Sequence, residues 1–233
     1  MGFQDVLFQS LEERGWAVSD RIVPPSLAQA LRNHAHQLWQ QGFFKPASIG
    51  RQAKLASDPD IRGDAFCWMD DDSPPPPCAE FLAWADGLRQ ELNRHFFLSL
   101  RGQEFHFARY EPGRGYARHM DQHGGTSARK VSLVLYLNDD WQAEDGGELC
   151  LYGPETGDGE RGRKAPAPAG DDLRPGSGPP LKAGPTLQAR ILPESGRLAL
   201  FLSDRVPHEV LPARRVRWSL TGWFRDDAGY TLR

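Results

Sequence analysis

From residue 103 onward the chain breaks into short apolar runs separated by turn residues. The runs are EFHFARYEP, KVSLVLYLN, GELCLYG, RLALFLS, HEVLPA and RWSLTGWFR, rich in β-branched and aromatic residues and bounded by Gly, Pro, Asn and Asp. Alternating runs of this kind predict strands, and many short strands between turns predict an antiparallel sandwich or barrel. His106 alternates within the first run and is expected as a sheet residue, not a ligand.

The N-terminal third carries a different period. In VPPSLAQALRNHAHQLWQQG, Leu27, Leu31, Ala35 and Leu38 recur at helical spacing, with Ser26 as the expected N-cap and Gly42 at the end. In CAEFLAWADGLRQELNRHFF, Phe81, Ala85, Leu88, Leu92 and Phe96 make one apolar stripe. His34, His36 and His95 lie on these helices and are expected to be surface or packing residues. The expected organisation is one structural domain: residues 1–102 as helical support and a substrate-loop region, residues 103–227 as a β core.

Residues 153–188 stand apart. They are rich in Gly, Pro and charge and cannot bury a core, so with strands on both sides they read as a long loop inserted into the domain. A disordered excursion is preferred there over a flap that contacts substrate.

Bulk properties narrow the function classes. The net charge is −3, which does not suit a general nucleic-acid binder. No apolar run approaches the roughly 20 residues of a membrane span. The start, MGFQDVLFQSLEERGW, has early acids and no long apolar core, so no signal peptide is expected; MGFQDV also lacks the Ser or Thr favoured for myristoylation. The three cysteines, Cys67, Cys78 and Cys150, lack metal-ligand spacing and suit a reduced, cytoplasmic protein. The sequence sets no oligomeric state.

The segment GYARHMDQHGG crowds His119, Asp121 and His123 into five positions. On a strand His119 and Asp121 share a face; on a helix His119 and His123 do, as in a zinc hydrolase. The turn before the segment, the strand after it and the Gly124–Gly125 pair favour the strand. His208, in SDRVPHEVLPA, is the candidate third ligand. Two histidines and one carboxylate on one metal face leave positions open for a co-substrate and O2, whereas a structural zinc closes all four. H-x-D alone is a weak motif. Arg217 strengthens it, because it falls within a strand-like alternation and offers a fork that grips a carboxylate.

These stretches resemble the Fe(II)/2-oxoglutarate-dependent dioxygenases, and within them the prolyl hydroxylases of the hypoxia-inducible-factor type and their bacterial relatives. The resemblance rests on IRGDAFCWMDD (61–71), FARYEPGRGYARHMDQ (107–122), RKVSLVLYLNDDW (129–141), GGELCLY (146–152), SGRLALFLSDRVPHEVLPA (195–213) and RWSLTGWF (217–224). It implies a double-stranded β-helix, or jelly roll, flanked by helices. It further implies iron on His119, Asp121 and His208, with Arg217, Tyr136 and Thr221 toward the 2-oxoglutarate co-substrate. Tyr110 and Tyr116 match tyrosines near co-substrate or substrate, and Arg129 and Trp223 match residues lining the pocket for a target proline. For all four, ordinary sheet packing or surface charge is the competing reading.

The implied activity is hydroxylation of C4 of a prolyl residue in a protein or peptide, with Fe(2+), 2-oxoglutarate and O2 and with ascorbate as a possible reductant. The segment from Ser48 to Pro77 sits where the relatives carry a substrate loop, with Gly50 and Gly63 as candidate hinges. Two readings compete: the same chemistry on a small molecule or another side chain, and a non-catalytic jelly-roll binding module, which has no need of Arg217. The residues after Asp121 and the long insert depart from the relatives' pattern, so the substrate's identity does not carry over.

Overall fold

The computed structural model describes residues 3–47, 61–70, 72–122, 128–153 and 185–227. Its elements in chain order are α1 (Phe3–Arg14), β1 (Trp16–Ser19), α2 (Pro25–Gln40), β2 (Lys45–Pro46), β3 (Asp64–Trp68), α3 (Pro76–Phe96), β4 (Gly102–Tyr110), β5 (Tyr116–His119), β6 (Arg129–Tyr136), β7 (Leu149–Tyr152), β8 (Leu187–Ile191), β9 (Leu198–Leu202), β10 (His208–Val210) and β11 (Arg217–Arg225). The strands form a larger sheet in the order β1-β9-β6-β11-β4-β3-β2 and a smaller one in the order β5-β10-β7-β8. This is the double-stranded β-helix expected from the sequence.

Strand parity divides the molecule. Side chains alternate across a sheet, so fixing the register fixes which residues share a face. On the larger sheet Phe107 pairs with Leu220, which pairs with Leu135, which pairs with Leu198. That row joins Phe105, Leu133, Leu200 and Phe224 in a core shared with the helices. The opposite parity carries Tyr110 beside Arg217, His106 beside Thr221, and Ser132 beside Trp223. This second face meets Leu149, Leu151, Ile191 and Val210 of the smaller sheet.

The helices cover the first face as their apolar stripes require. α2 buries Leu27, Ala28, Leu31 and Ala35, and α3 buries Cys78, Phe81, Ala85, Leu88 and Leu92. Burying one such aliphatic or aromatic side chain contributes roughly 1.5–3 kcal/mol. Both helices begin with proline in the first turn, where its fixed φ and missing N–H cost nothing.

Several expectations are corrected. Ser26 is not the N-cap of α2: Pro24 occupies that position, without a side-chain cap, and Ser26 lies inside the first turn. The region before residue 103 supplies β1, β2 and β3 to the larger sheet besides its helices. β8 opens inside the segment read as an insert, at Leu187, while residues 154–184 lie outside the described residues, as do His123 and Gly50.

Candidate active site

β10 lies antiparallel to β5 with His208 directly opposite His119. That register brings together two imidazoles separated widely in sequence, their ring centroids 4.2 Å apart. β5 ends at His119, so Asp121 is not a strand neighbour as the H-x-D spacing suggested. The bend after β5 turns its carboxylate back instead. His119 Nε2 is 3.6 Å from Asp121 Oδ1, and His208 Nε2 is 3.7 Å from Asp121 Oδ2. One ligand atom from each of the three residues lies within 4.8 Å of the others. The helical arrangement that the zinc-hydrolase reading needs is ruled out for His119, which is on a strand.

Both rings are held by their far nitrogens. His119 Nδ1 is 2.8 Å from the Ala117 carbonyl, and His208 Nδ1 is 3.1 Å from the Val206 carbonyl. A carbonyl only accepts, so each Nδ1 carries a proton and each Nε2 is turned toward the Asp121 carboxylate, the orientation of metal-binding histidines. Burial pushes the His208 imidazolium down to about 4, against the pull of the Asp121 charge, so the ring is neutral near pH 7. Burial alone would raise the Asp121 carboxyl. The His208 and His119 imidazoles and the Ser132 hydroxyl outweigh it and hold the group well below the usual carboxylate range. Two imidazoles and a carboxylate on one side of the cavity are the donor set that suits Fe(II).

Arg217 opens β11 and is 1% exposed. Its Nε donates to the Gly147 carbonyl at 2.9 Å, and its guanidinium carbon lies 5.2 Å from the ring centroids of both Tyr110 and Tyr136. Gly147 has a φ of 73°, and a Cβ there would meet the Ala213 Cβ at 2.8 Å. Only glycine lets the backbone come this close to the arginine. Arg217 Nη2 and the Tyr136 hydroxyl are buried with no hydrogen-bond partner among the described residues. A buried cation beside an unmet donor calls for an anionic acceptor, and a carboxylate meets both needs. The site therefore fits a metal on one wall and a carboxylate co-substrate on another.

The side chains expected around these groups all line one cavity of ≈ 130 Å³: Tyr110, Tyr116, Arg129, Thr221 and Trp223 join the triad and Arg217. Tyr136 adjoins it beneath Arg217. Tyr116 stacks on His119 with centroids 3.7 Å apart. Arg129 lies 3.4 Å over the Trp223 ring and is ion-paired to Glu104. Thr221 contacts the Ser219 hydroxyl at 3.3 Å.

Sequence reading missed four participants. Arg62 grips Asp64 through two hydrogen bonds, of 2.8 and 3.1 Å, with its guanidinium 5.0 Å from the Tyr116 ring. His106 is a sheet residue as expected, yet it also lines the cavity, stacked on Trp223. Ser132 donates to Asp121. Parity could have found two of these, because His106 shares a face with Tyr110 and Ser132 with Tyr136. The Arg62–Asp64 pair stands beside the cavity only because β3 joins β4.

Residues 105–225 match the model of the 2OG-Fe(II) oxygenase superfamily. A crystal structure of a Pseudomonas putida prolyl-4-hydroxylase superposes with a TM-score of 0.73 at 34% identity, covering 95% of this chain and 98% of that one. A Trichoplax adhaerens prolyl hydroxylase, solved with a hypoxia-inducible-factor peptide fragment, has a TM-score of 0.73 at 27% identity, covering 95% and 88%. The hypoxia-inducible factor prolyl hydroxylase of Caenorhabditis elegans is 28% identical over 94% of this chain, which spans 28% of that relative's length.

Proposed function

The chain belongs to the 2OG-Fe(II) oxygenase superfamily, and from that premise we propose that it hydroxylates C4 of a prolyl residue in a protein or peptide, releasing succinate and CO2. The observation that carries the reading is Arg217, which lines the same cavity as the His119–Asp121–His208 triad with an Nη2 that meets no hydrogen-bond partner among the described residues, and which lies over the ring of Tyr136, whose buried hydroxyl likewise has none there. The assignment to a prolyl side chain is supported by near full-length similarity to two solved prolyl hydroxylases.

His119, Asp121 and His208 would hold iron. Iron bound there supplies, together with 2-oxoglutarate and O2, the oxidising power to hydroxylate an unactivated C–H bond. The chain's own part is geometry and exclusion of water. Arg217 and Tyr136 bind the distal carboxylate of 2-oxoglutarate, with Thr221 beside it. Burial raises the Tyr136 phenol to about 12, partly offset by the Arg217 charge, so the group stays a donor at neutral pH. Tyr110 packs its ring on Arg217 and restricts the guanidinium. Tyr116, clamped between His119 and Arg62, and Trp223, covered by Arg129, form rigid aromatic walls against which a pyrrolidine ring can pack.

Ascorbate as an iron reductant and a cytoplasmic location are part of the proposal. The location is supported by Cys67, Cys78 and Cys150, which are all free.

The test is incubation with Fe(II), 2-oxoglutarate and a panel of proline-containing peptides, followed by mass spectrometry. A gain of one oxygen on proline, matched by succinate, is the expected result. Succinate formation that no proline peptide stimulates, together with oxidation of a small molecule, would overturn the prolyl assignment and keep the chemistry.

A further inference from the structure

Ser132 lies on β6 and Ser203 in the turn after β9, and both are essentially excluded from solvent, at 1% and 0% exposure. Ser132 Oγ is 2.6 Å from Asp121 Oδ2 and 2.8 Å from Ser203 Oγ. A hydroxyl has one proton. The ionised carboxylate can only accept, so the Ser132 proton goes to Asp121, and Ser203 must donate to Ser132. The result is a directed chain, Ser203 to Ser132 to Asp121, in which each hydroxyl polarises the next.

The backbone repeats the tie. Gln122 N donates to the Ser203 carbonyl at 3.1 Å, and Ser203 N donates to the Lys130 carbonyl at 3.0 Å. Asp121 stands outside the strands, in the bend after β5, with no ladder of its own. Ser203 therefore holds it twice: by the amide that follows it and by its side chain through Ser132.

We propose that Ser132 and Ser203 are positioning residues that fix the Asp121 carboxylate for metal binding. Ser132 engages Oδ2, which fixes the rotation of the carboxylate and so the direction in which its two oxygens face the Nε2 atoms of His119 and His208. The inference rests on reading His119, Asp121 and His208 as the iron ligands. Hydrogen-bonded partners of metal ligands commonly set affinity by roughly 10- to 100-fold.

The experiment titrates the metal-free protein anaerobically with Co(II) alone, following its visible absorption, for wild type, Ser132→Ala, Ser132→Thr and Ser203→Ala. Thermal unfolding of each metal-free protein is recorded alongside. Ser132→Ala is expected to bind Co(II) roughly 10- to 100-fold more weakly. Ser132→Thr, which keeps the hydroxyl, restores most of that affinity, and Ser203→Ala falls between. A loss of affinity that threonine reverses is not a general loss of packing. A folded Ser132→Ala protein with wild-type Co(II) affinity overturns the proposal. Should Ser132→Ala fail to fold, Ser203→Ala decides in its place, and unchanged affinity there overturns it equally. Wild-type protein that takes up no Co(II) is a different result, since it overturns the metal centre itself and with it the proposed function.

Discussion

His208 sits directly opposite His119 across the β10–β5 ladder, and both imidazoles are tied through Nδ1 to backbone carbonyls two residues earlier in their own segments. Backbone pairing, not side-chain attraction, makes this meeting. The two imidazoles are set by a ladder that does not change with their charge.

Replacing His119, Asp121 or His208 by alanine should therefore reduce iron-dependent conversion of 2-oxoglutarate to background while leaving the fold in place. The ladder that joins β5 to β10 uses main-chain groups, which the substitutions keep. Succinate release and circular dichroism check the two halves of the statement, and turnover that survives any one replacement would remove that residue from the metal centre.

Arg217→Ala should raise the KM for 2-oxoglutarate by about 10- to 100-fold, since hydrogen bonds to charged groups contribute roughly 1.5–3 kcal/mol. Arg217→Lys should not restore it, because an ammonium cannot reproduce the fork that spans the Gly147 carbonyl and the co-substrate. Steady-state kinetics in varied 2-oxoglutarate measure this, and an unchanged KM would mean the anchor lies elsewhere.

Gly222→Ala should destabilise the protein by about 1–3 kcal/mol. A Cβ there would lie 2.1 Å from Phe105 Cδ1 and 2.2 Å from the Glu104 carbonyl, on the face of β11 that meets the helices. The ring could yield; the neighbouring strand's backbone cannot without opening the ladder. Urea unfolding gives the answer, and a wild-type midpoint would show that β4 and β11 are less closely apposed.

The metal-free protein should lose stability as the pH falls from about 6.5 toward 3, in part through His106. Burial lowers this imidazole from 6.5 to about 3. In that window the unfolded chain binds a proton there and the folded chain does not, so acid favours unfolding. Phenylalanine at 106 keeps the aromatic contacts with Trp68 and Trp223 and removes the titrating group. The His106→Phe protein should show a shallower acid limb in stability against pH; superimposable limbs would assign the loss to other groups, the triad among them.

Much of the β core was legible because alternation is a local signal. Six apolar runs after residue 103 became β4, β6, β7, β9, β10 and β11, and GYARH became β5. The strands that escaped notice were β1, β2, β3 and β8, with two to five residues each. At that length a period of two cannot be told from chance, and β1, β2 and β3 fall among helices whose period dominates the window. Ser26 failed as a cap because Pro25 already starts the helix, putting the serine inside the first turn.

By itself the sequence determined which side chains share a face and which residues have the chemistry to hold a metal and a carboxylate. Those follow from the pleat and from functional groups, both of which are properties of short segments. Tertiary structure decided which face became the cavity, how Asp121 returns to its partners from beyond its strand, and that Ser132, Ser203, Arg62 and Asp64 stand around them. Such meetings depend on the register of strands far apart in the chain. Register is selected by burying one whole face at once, so no single segment contains it.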